Sequence, residues 1–335
     1  MVRMEYAVSL QYEVQSRSDF VFNICAAHTA SQRVLSEKFT VHGAVSSSSH
    51  TDMVTANRFN RVACENGLLT VRYRAIVEIN HSVENVVLVH EREIRQLPSD
   101  VLPYILPSRF CPSDKMRQLA LAMFGNLEPN YERVATICRW VNQHVRFKSG
   151  ASNATTCAME TFNTRAGVCR DFSHLMITMC RALNIPARYV TGVDFGADPD
   201  LGPTDFHAYV EVFIGQRWYL FDATGLTPVM GLIRIGTGHD AADASFATMF
   251  GSMHCLRPEV QIDLLASDHT RLHQDDNLLH AVSTASDSLY FQGTPLVRRL
   301  QPVPISPYVN VTPQAPQSWF VRPGLKRFQA ASASV

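Results

Sequence analysis

No stretch of this chain approaches the ~18 consecutive apolar residues of a membrane-spanning helix, and neither sign of charge is in excess: 30 Lys and Arg balance 30 Asp and Glu over 335 residues. These two absences exclude bulk membrane and nucleic-acid binding as expected roles. The eight cysteines contain no CxxC pair, and the closest two stand 11 residues apart, so neither a disulfide framework nor a structural zinc site is expected. The thirteen histidines form no HExxH motif, and no D-x-D-x-D-G loop is present, so no metal and no cofactor is expected. The opening MVRMEYAVSLQYEVQ alternates and carries charge where a secretory leader needs an unbroken apolar run, which points to a cytoplasmic protein.

What is present is a 46% hydrophobic chain, long enough for two domains at about 150 residues each. Residues 1–98 hold Val-, Ile-, Tyr- and Phe-rich runs, several with period-2 alternation, and Asn66-Gly67 suits a hairpin turn between two of them. This predicts an N-terminal antiparallel β domain. Three prolines in SDVLPYILPSRFCP break regular structure over 99–112, which reads as a linker. A second, α+β domain is expected over 113–265. Ser113 and Asp114 can cap a helix that ends near Gly125, and Asn130 can cap a second in which Val134, Ile137, Cys138, Val141 and Val145 recur at helical spacing. A third helix should run from Cys169 to Leu183, followed by strands including a last one at QIDLL near 261. From 266 to 335 the chain reads as an extended tail. Its last 42 residues carry seven of the 17 prolines and five basic residues but no acidic one.

The chemistry concentrates in Thr164–His174, where a glycine-containing turn delivers Cys169 to the first turn of the third helix. Unpaired N–H groups and the helix dipole stabilise an anion at that end, so Cys169 sits where a thiolate is favoured and mid-helix Cys180 does not. A thiolate nucleophile needs a proton acceptor and donor. His174 is near in sequence, but five residues of helix turn about 500°, which leaves it some 140° from Cys169 on another face. His207 and Asp222 are better placed. They belong to two alternating runs separated by Gly215-Gln216. With that pair as a two-residue hairpin loop, opposed residue numbers sum to 431, and Asp222 lies diagonal to His207 on the same face, about 7–8 Å away between backbones. A three-residue loop would turn Asp222 to the other face.

GVCRDFSHLMITMCRALNIPARYVTGV followed by DFHAYVEVFIGQRWYLFDATG strongly resembles the bacterial transglutaminase-like proteins of the papain-like superfamily. The segments YILPSRFCPSD, ICRWVNQHVRF and GHDAADASF, and the β-rich N-terminal domain, are also similar to that family. The resemblance covers about residues 1–265. It implies helices packed on an antiparallel sheet, Cys169 as nucleophile, His207 as general base and acid, Asp222 as orienter of the imidazole, and an amide bond of a peptide or protein as substrate. The expected chemistry is a Cys169 thioester resolved by water (protease or amidase) or by an amine (acyl transfer), with the Cys169 N–H as one oxyanion donor and a polar side chain from Asn153–Thr156 as a second. Trp140 and Asp171 read as structural. Arg109 and Asp240 read either as walls of the cleft or as ion-pairing groups. A non-catalytic peptide- or protein-binding module on the same fold is the alternative; the intact Cys169, His207 and Asp222 count against it.

Overall fold

Alternation settles the N-terminal half. In β1 (Val2–Val14) the even-numbered side chains are buried and the odd ones are at least partly open, the period a half-covered strand imposes. With β2 (Ser18–Phe22), β3 (Gln32–His42), β4 (Ser46–Thr51), β5 (Arg58–Cys64) and β6 (Gly67–Ile79) it forms an antiparallel sandwich: β1 pairs with β6 and β6 with β3 in one sheet, β2 with β5 and β5 with β4 in the other. Tyr6, Phe20, Phe22 and Tyr73 fill the space between. The turn from β5 to β6 falls at Asn66-Gly67, with Gly67 at φ +142°, where an L side chain is strained. A short strand, β7 (Ser82–Asn85), follows. This is a computed structural model, and it describes residues 1–197, 204–267 and 280–284, all within one compact unit.

The segment 99–112 is not a loose linker. A 3-10 turn over Leu102–Ile105 buries Tyr104 beside Val101, Phe213 and Trp218, and Cys111 is fully covered. Proline excludes regular helix and strand but not packing. The helix expected from Ser113 begins later, as α1 (Arg117–Phe124), and has no side-chain cap. Asn130 does cap α2 (Tyr131–His144), its side-chain oxygen accepting from the N–H groups of Glu132 and Arg133. After β8 (Arg146–Phe147) comes α3 (Ala158–Thr164), whose seven residues are too few to display a 3.6 period in sequence. β9 (Ala166–Gly167) then leads into α4 (Cys169–Ala182).

The antiparallel sheet that follows comprises β10 (Ala187–Asp194), β11 (Phe206–Ile214), β12 (Arg217–Phe221) and β13 (Leu232–Gly238), in the order β12-β11-β10-β13. Ala208, Val210, Val212 and Ile214 of β11 share one core with Phe172, Leu175, Met176 and Met179 of α4. The helix is more enclosed than one apolar stripe predicts, since every residue from Asp171 to Ala182 is buried. Its polar face is covered by the family-like segments 104–111 and 239–244. Buried Arg181 donates to the carbonyls of Leu106, Ala187 and His239 and to Ser108 Oγ at 2.7–3.1 Å. The helix is clamped along its length.

Three later strands return to the first sandwich. β14 (Ala247–Phe250) pairs with β2, and β15 (Met253–Cys255) and β16 (Glu259–Ser267) pair with β1. The strand expected at QIDLL is therefore real but completes the N-terminal sheet instead of the second one, because alternation reports a half-buried strand without naming its neighbour. Val193, Ile233 and Ile235 of the second sheet also enter the sandwich core. Within the stretch read as tail, β17 (His280–Ser283) pairs with β7 and buries Ala281 and Val282. The Pro-rich 294–335 lies outside the described residues. No helix among the described residues is long and apolar enough to cross a membrane.

Candidate active site

Cys169 opens α4, and the chain is built to hold it there. Val168 cannot cap with its side chain, so Asp171 accepts the Val168 N–H at 2.8 Å and takes a second hydrogen bond from Ser152 Oγ at 2.5 Å. Gly167 is dictated by this arrangement: a Cβ there would stand 2.6 Å from Asp171 Cβ. Arg170 pairs with Asp171 and donates to the carbonyl of Asn153, pinning 152–153 to the helix end. The structural reading of Asp171 is thus the observed one. Cys169 remains partly exposed.

The hairpin has the two-residue loop, with Ile214 opposite Arg217 and Val210 opposite Phe221, the register in which paired numbers sum to 431. His207 and Asp222 accordingly meet, Nε2 standing 3.2 Å from Oδ1. The N–H lies off the line to the oxygen, so the contact is an ion pair and not a linear hydrogen bond. The Asp222 carboxylate is fixed by five donors. Oδ1 accepts from the Thr224 N–H and hydroxyl at 2.9 and 2.7 Å; Oδ2 accepts from the N–H groups of Leu226 and Thr227 and from the Thr227 hydroxyl at 3.1–3.2 Å. From α2, Asn142 donates to the Thr224 carbonyl at 2.7 Å and holds the loop from behind.

Burial alone would push the His207 imidazole down, but the Asp222 carboxylate and the neighbouring Cys169 sulfur outweigh it, and the ring titrates well above its ordinary value. Burial acts on Asp222 in the opposite sense and is overcome by His207 and the Thr224 donors, so its carboxyl titrates below the usual range. The structure therefore brings Cys169, His207 and Asp222 together, with the thiol open and the imidazole and carboxylate covered. The other thiols of this core differ. Burial pushes Cys111 up to about 12 and raises Cys138 and Cys180 further.

Other anticipated residues fall elsewhere. His174 is fully buried between the rings of Phe110 and Tyr189, and its Nε2 accepts the Ala241 N–H at 3.1 Å. Asp240 accepts from the N–H groups of Phe110 and Ala242 and so serves the clamp on α4, while Arg109 lies over the Phe110 ring. Trp140 packs against Phe124, His144 and Phe162. Asn153 spends its side-chain oxygen on the Thr155 N–H and hydroxyl of its own turn. One residue went unnoticed in sequence. Asp194, at the end of β10, places Oδ2 3.7 Å from His207 Nδ1. Gly192 pairs with His207 across β10 and β11, so Asp194 is diagonal to His207 on one side as Asp222 is on the other. Burial pushes the Asp194 carboxyl up, and His207 opposes it.

A helix-borne cysteine facing a histidine on an antiparallel sheet, behind a β sandwich, defines the transglutaminase-like class. The transglutaminase-like superfamily profile matches residues 117–223, and that of the bacterial transglutaminase N-terminal domain matches 2–100. A crystal structure described as a candidate cysteine protease from Cytophaga hutchinsonii is 37% identical, covers 86% of this chain and 98% of its own, and superposes with a TM-score of 0.79. The chain belongs to the transglutaminase-like superfamily. An uncharacterized protein of Mycobacterium leprae is 25% identical over 185 residues, 53% of this chain and 66% of its own length. One from Mycobacterium tuberculosis is 29% identical over 142 residues, 39% of this chain and 45% of its own. The chain thus spans less than two thirds of the length of these curated relatives.

Proposed function

We propose that this protein is a cysteine-dependent enzyme of amide bonds, with Cys169 as nucleophile, His207 as general acid and base, and Asp222 as the group that orients the imidazole. The observation that carries the reading is the Cys169, His207 and Asp222 cluster itself. A partly exposed thiol at a helix N-terminus faces a covered imidazole whose far nitrogen meets a carboxylate held by five donors. A carboxylate so thoroughly fixed positions a ring for proton transfer and has no structural need of it.

In this reading the Cys169 thiolate attacks the amide carbonyl carbon of a peptide or protein. The oxyanion that develops is met by the Cys169 N–H at the start of α4. His207 gives its proton to the amine nitrogen as the C–N bond breaks, leaving a thioester on Cys169. His207 then takes a proton from water or from an amine as it attacks the thioester, and the thiolate leaves. Water makes the protein a hydrolase and an amine makes it an acyltransferase; the residues of the cluster serve both. No step needs a cofactor. The eight unpaired cysteines suit a reducing, cytoplasmic setting.

The test is iodoacetamide labelling of all eight cysteines as a function of pH, read by peptide mass spectrometry, on the wild type and His207→Ala. Selective modification of Cys169 near pH 6, lost in the variant, is the expected result. A Cys169 that labels no faster than exposed Cys255, with no effect of His207→Ala, would return the cleft to a binding role.

A further inference from the structure

Two carboxylates flank the His207 ring, and the protein provides for them unequally. Asp222 receives five donors besides the ring. The Asp194 side chain is nine-tenths covered, yet among the described residues it accepts no hydrogen bond from another residue; its polar neighbour is His207 Nδ1 at 3.7 Å. The carboxylate takes its own backbone N–H, and among the described residues no further donor meets it; a covered carboxylate with so few donors is costly. Its place suggests what supplies the rest. His207 Nε2 is committed to Asp222, so proton exchange with a substrate amine passes through Nδ1. A nitrogen within hydrogen-bond reach of Nδ1 then lies beside Asp194 Oδ2.

Resting on the cysteine-enzyme reading, we propose that Asp194 is a specificity-determining residue that accepts hydrogen bonds from the amine side of the reaction and selects a primary ammonium group over a neutral one. The group is either the amine that has left the amide and then taken up a second proton, or the incoming amine, which docks as the ammonium and gives a proton to His207 Nδ1 before its freed lone pair attacks the thioester. An ammonium ion supplies three donors and a full positive charge, which suits a covered carboxylate 3.7 Å from the imidazole that takes no donor from another side chain among the described residues.

The test uses the full chain and three methanethiosulfonates of different charge: cationic 2-aminoethyl, neutral methyl and anionic 2-sulfonatoethyl. Modification of Cys169 is followed by peptide mass spectrometry, with exposed Cys255 as the reference for each reagent. Relative to Cys255, Cys169 should favour the cationic over the neutral reagent by about tenfold or more and should disfavour the anionic one. Asp194→Asn should abolish that preference, read as the ratio of cationic to neutral rate so that a change common to all three reagents cancels. An undiminished preference in the variant overturns the assignment. Where the substitution itself depresses the neutral rate, the wild type decides: n-butylammonium must slow the neutral reagent at Cys169 and n-butanol must not, and equal effects overturn the proposal.

Acetylation of Cys169 by p-nitrophenyl acetate then separates the two amine sources. If Asp194→Asn shifts acetyl transfer from n-butylamine toward water, the ammonium is the incoming one; an unshifted partition alongside a lost reagent preference makes it the leaving one. A Cys169 no more reactive than Cys255 toward the neutral reagent defeats the cysteine-enzyme reading. A reactive Cys169 without charge preference defeats only the role of Asp194.

Discussion

Asp222→Asn is the sharpest probe of the cluster, because it keeps the side chain's shape and removes one acceptor and the charge. With its oxygen in the Oδ1 position the amide retains both Thr224 donors, but its NH₂ group confronts the N–H groups of Leu226 and Thr227, which now donate to Oδ2 at 3.1 and 3.2 Å. Flipped, it confronts the Thr224 N–H and His207 Nε2. The first orientation strands the Thr227 N–H, since the Leu226 N–H also reaches Thr224 Oγ1 at 3.2 Å, and the flipped one strands two donors; at about 1–3 kcal/mol apiece, the expected loss of stability is about 2 kcal/mol. Urea unfolding at pH 7, followed by tryptophan fluorescence, measures it. The same change should appear in the chemistry. With the carboxylate gone, burial dominates the imidazole, and His207 shifts from above its ordinary value toward below it. Iodoacetamide labelling of Cys169 at pH 6 should then slow about tenfold or more. A stability loss under about 1 kcal/mol together with unchanged labelling would refute the account of how Asp222 is held and what it does.

Two further outcomes follow from the groups that seat α4. Burial holds His174 down to about 3, against about 6.5 in an unfolded chain. The folded state therefore refuses a proton that the unfolded state takes below about pH 6.5, and stability is lost as pH falls from there toward 3. His174 alone should remove about 2 kcal/mol between pH 7 and pH 5. His207, raised in the fold, contributes stability that is fully present below about pH 6.5 and is lost as pH rises toward its folded value, so it leaves the acid-side decline of His174 in place. His174→Gln should lack the His174 share of the decline, and an identical pH slope in denaturant unfolding would contradict the burial argument. Arg181→Met strands the carbonyls of Leu106, Ala187 and His239 and should cost about 3–5 kcal/mol; a calorimetric change below about 1 kcal/mol would show that the clamp is dispensable.

The sequence revealed elements more faithfully than their partners. β1 and β6 read as strands because one face of each is covered, and the Asn130 cap and the α2 stripe were legible because helix signals are local. Pairing is not local. QIDLL alternates in the way of any half-buried strand, and nothing in those five residues says that β1, some 250 positions earlier, is their neighbour. Burial of a polar helix face was hidden for a related reason. Ser173, His174, Thr178 and Arg181 make α4 look like a surface helix, and only the docking of 104–111 and 239–244 turns them inward. Composition also understated the proline-rich 99–112, where the residues between prolines, Tyr104, Phe110 and Cys111, do the packing.

The same distinction divides the two carboxylates at His207. Asp222 could be found from sequence because a two-residue loop fixes the hairpin register, and the register fixes the diagonal. Asp194 has an equivalent diagonal through the pairing of Gly192 with His207, but eleven residues separate β10 from β11, and a connection of that length fixes no register. The geometry is therefore nearly symmetric about the imidazole, while among the described residues the satisfaction of the two groups is not. Five donors converge on Asp222, which leaves it little freedom to bind anything else. Asp194 lies 3.7 Å from Nδ1 and takes no donor from another side chain among the described residues. A protein that needed only a second orienting carboxylate would gain by fixing it as it fixes the first. Among the described residues Asp194 is not so fixed, and the desolvation cost this carries is what the proposed donor, arriving with the substrate, would offset.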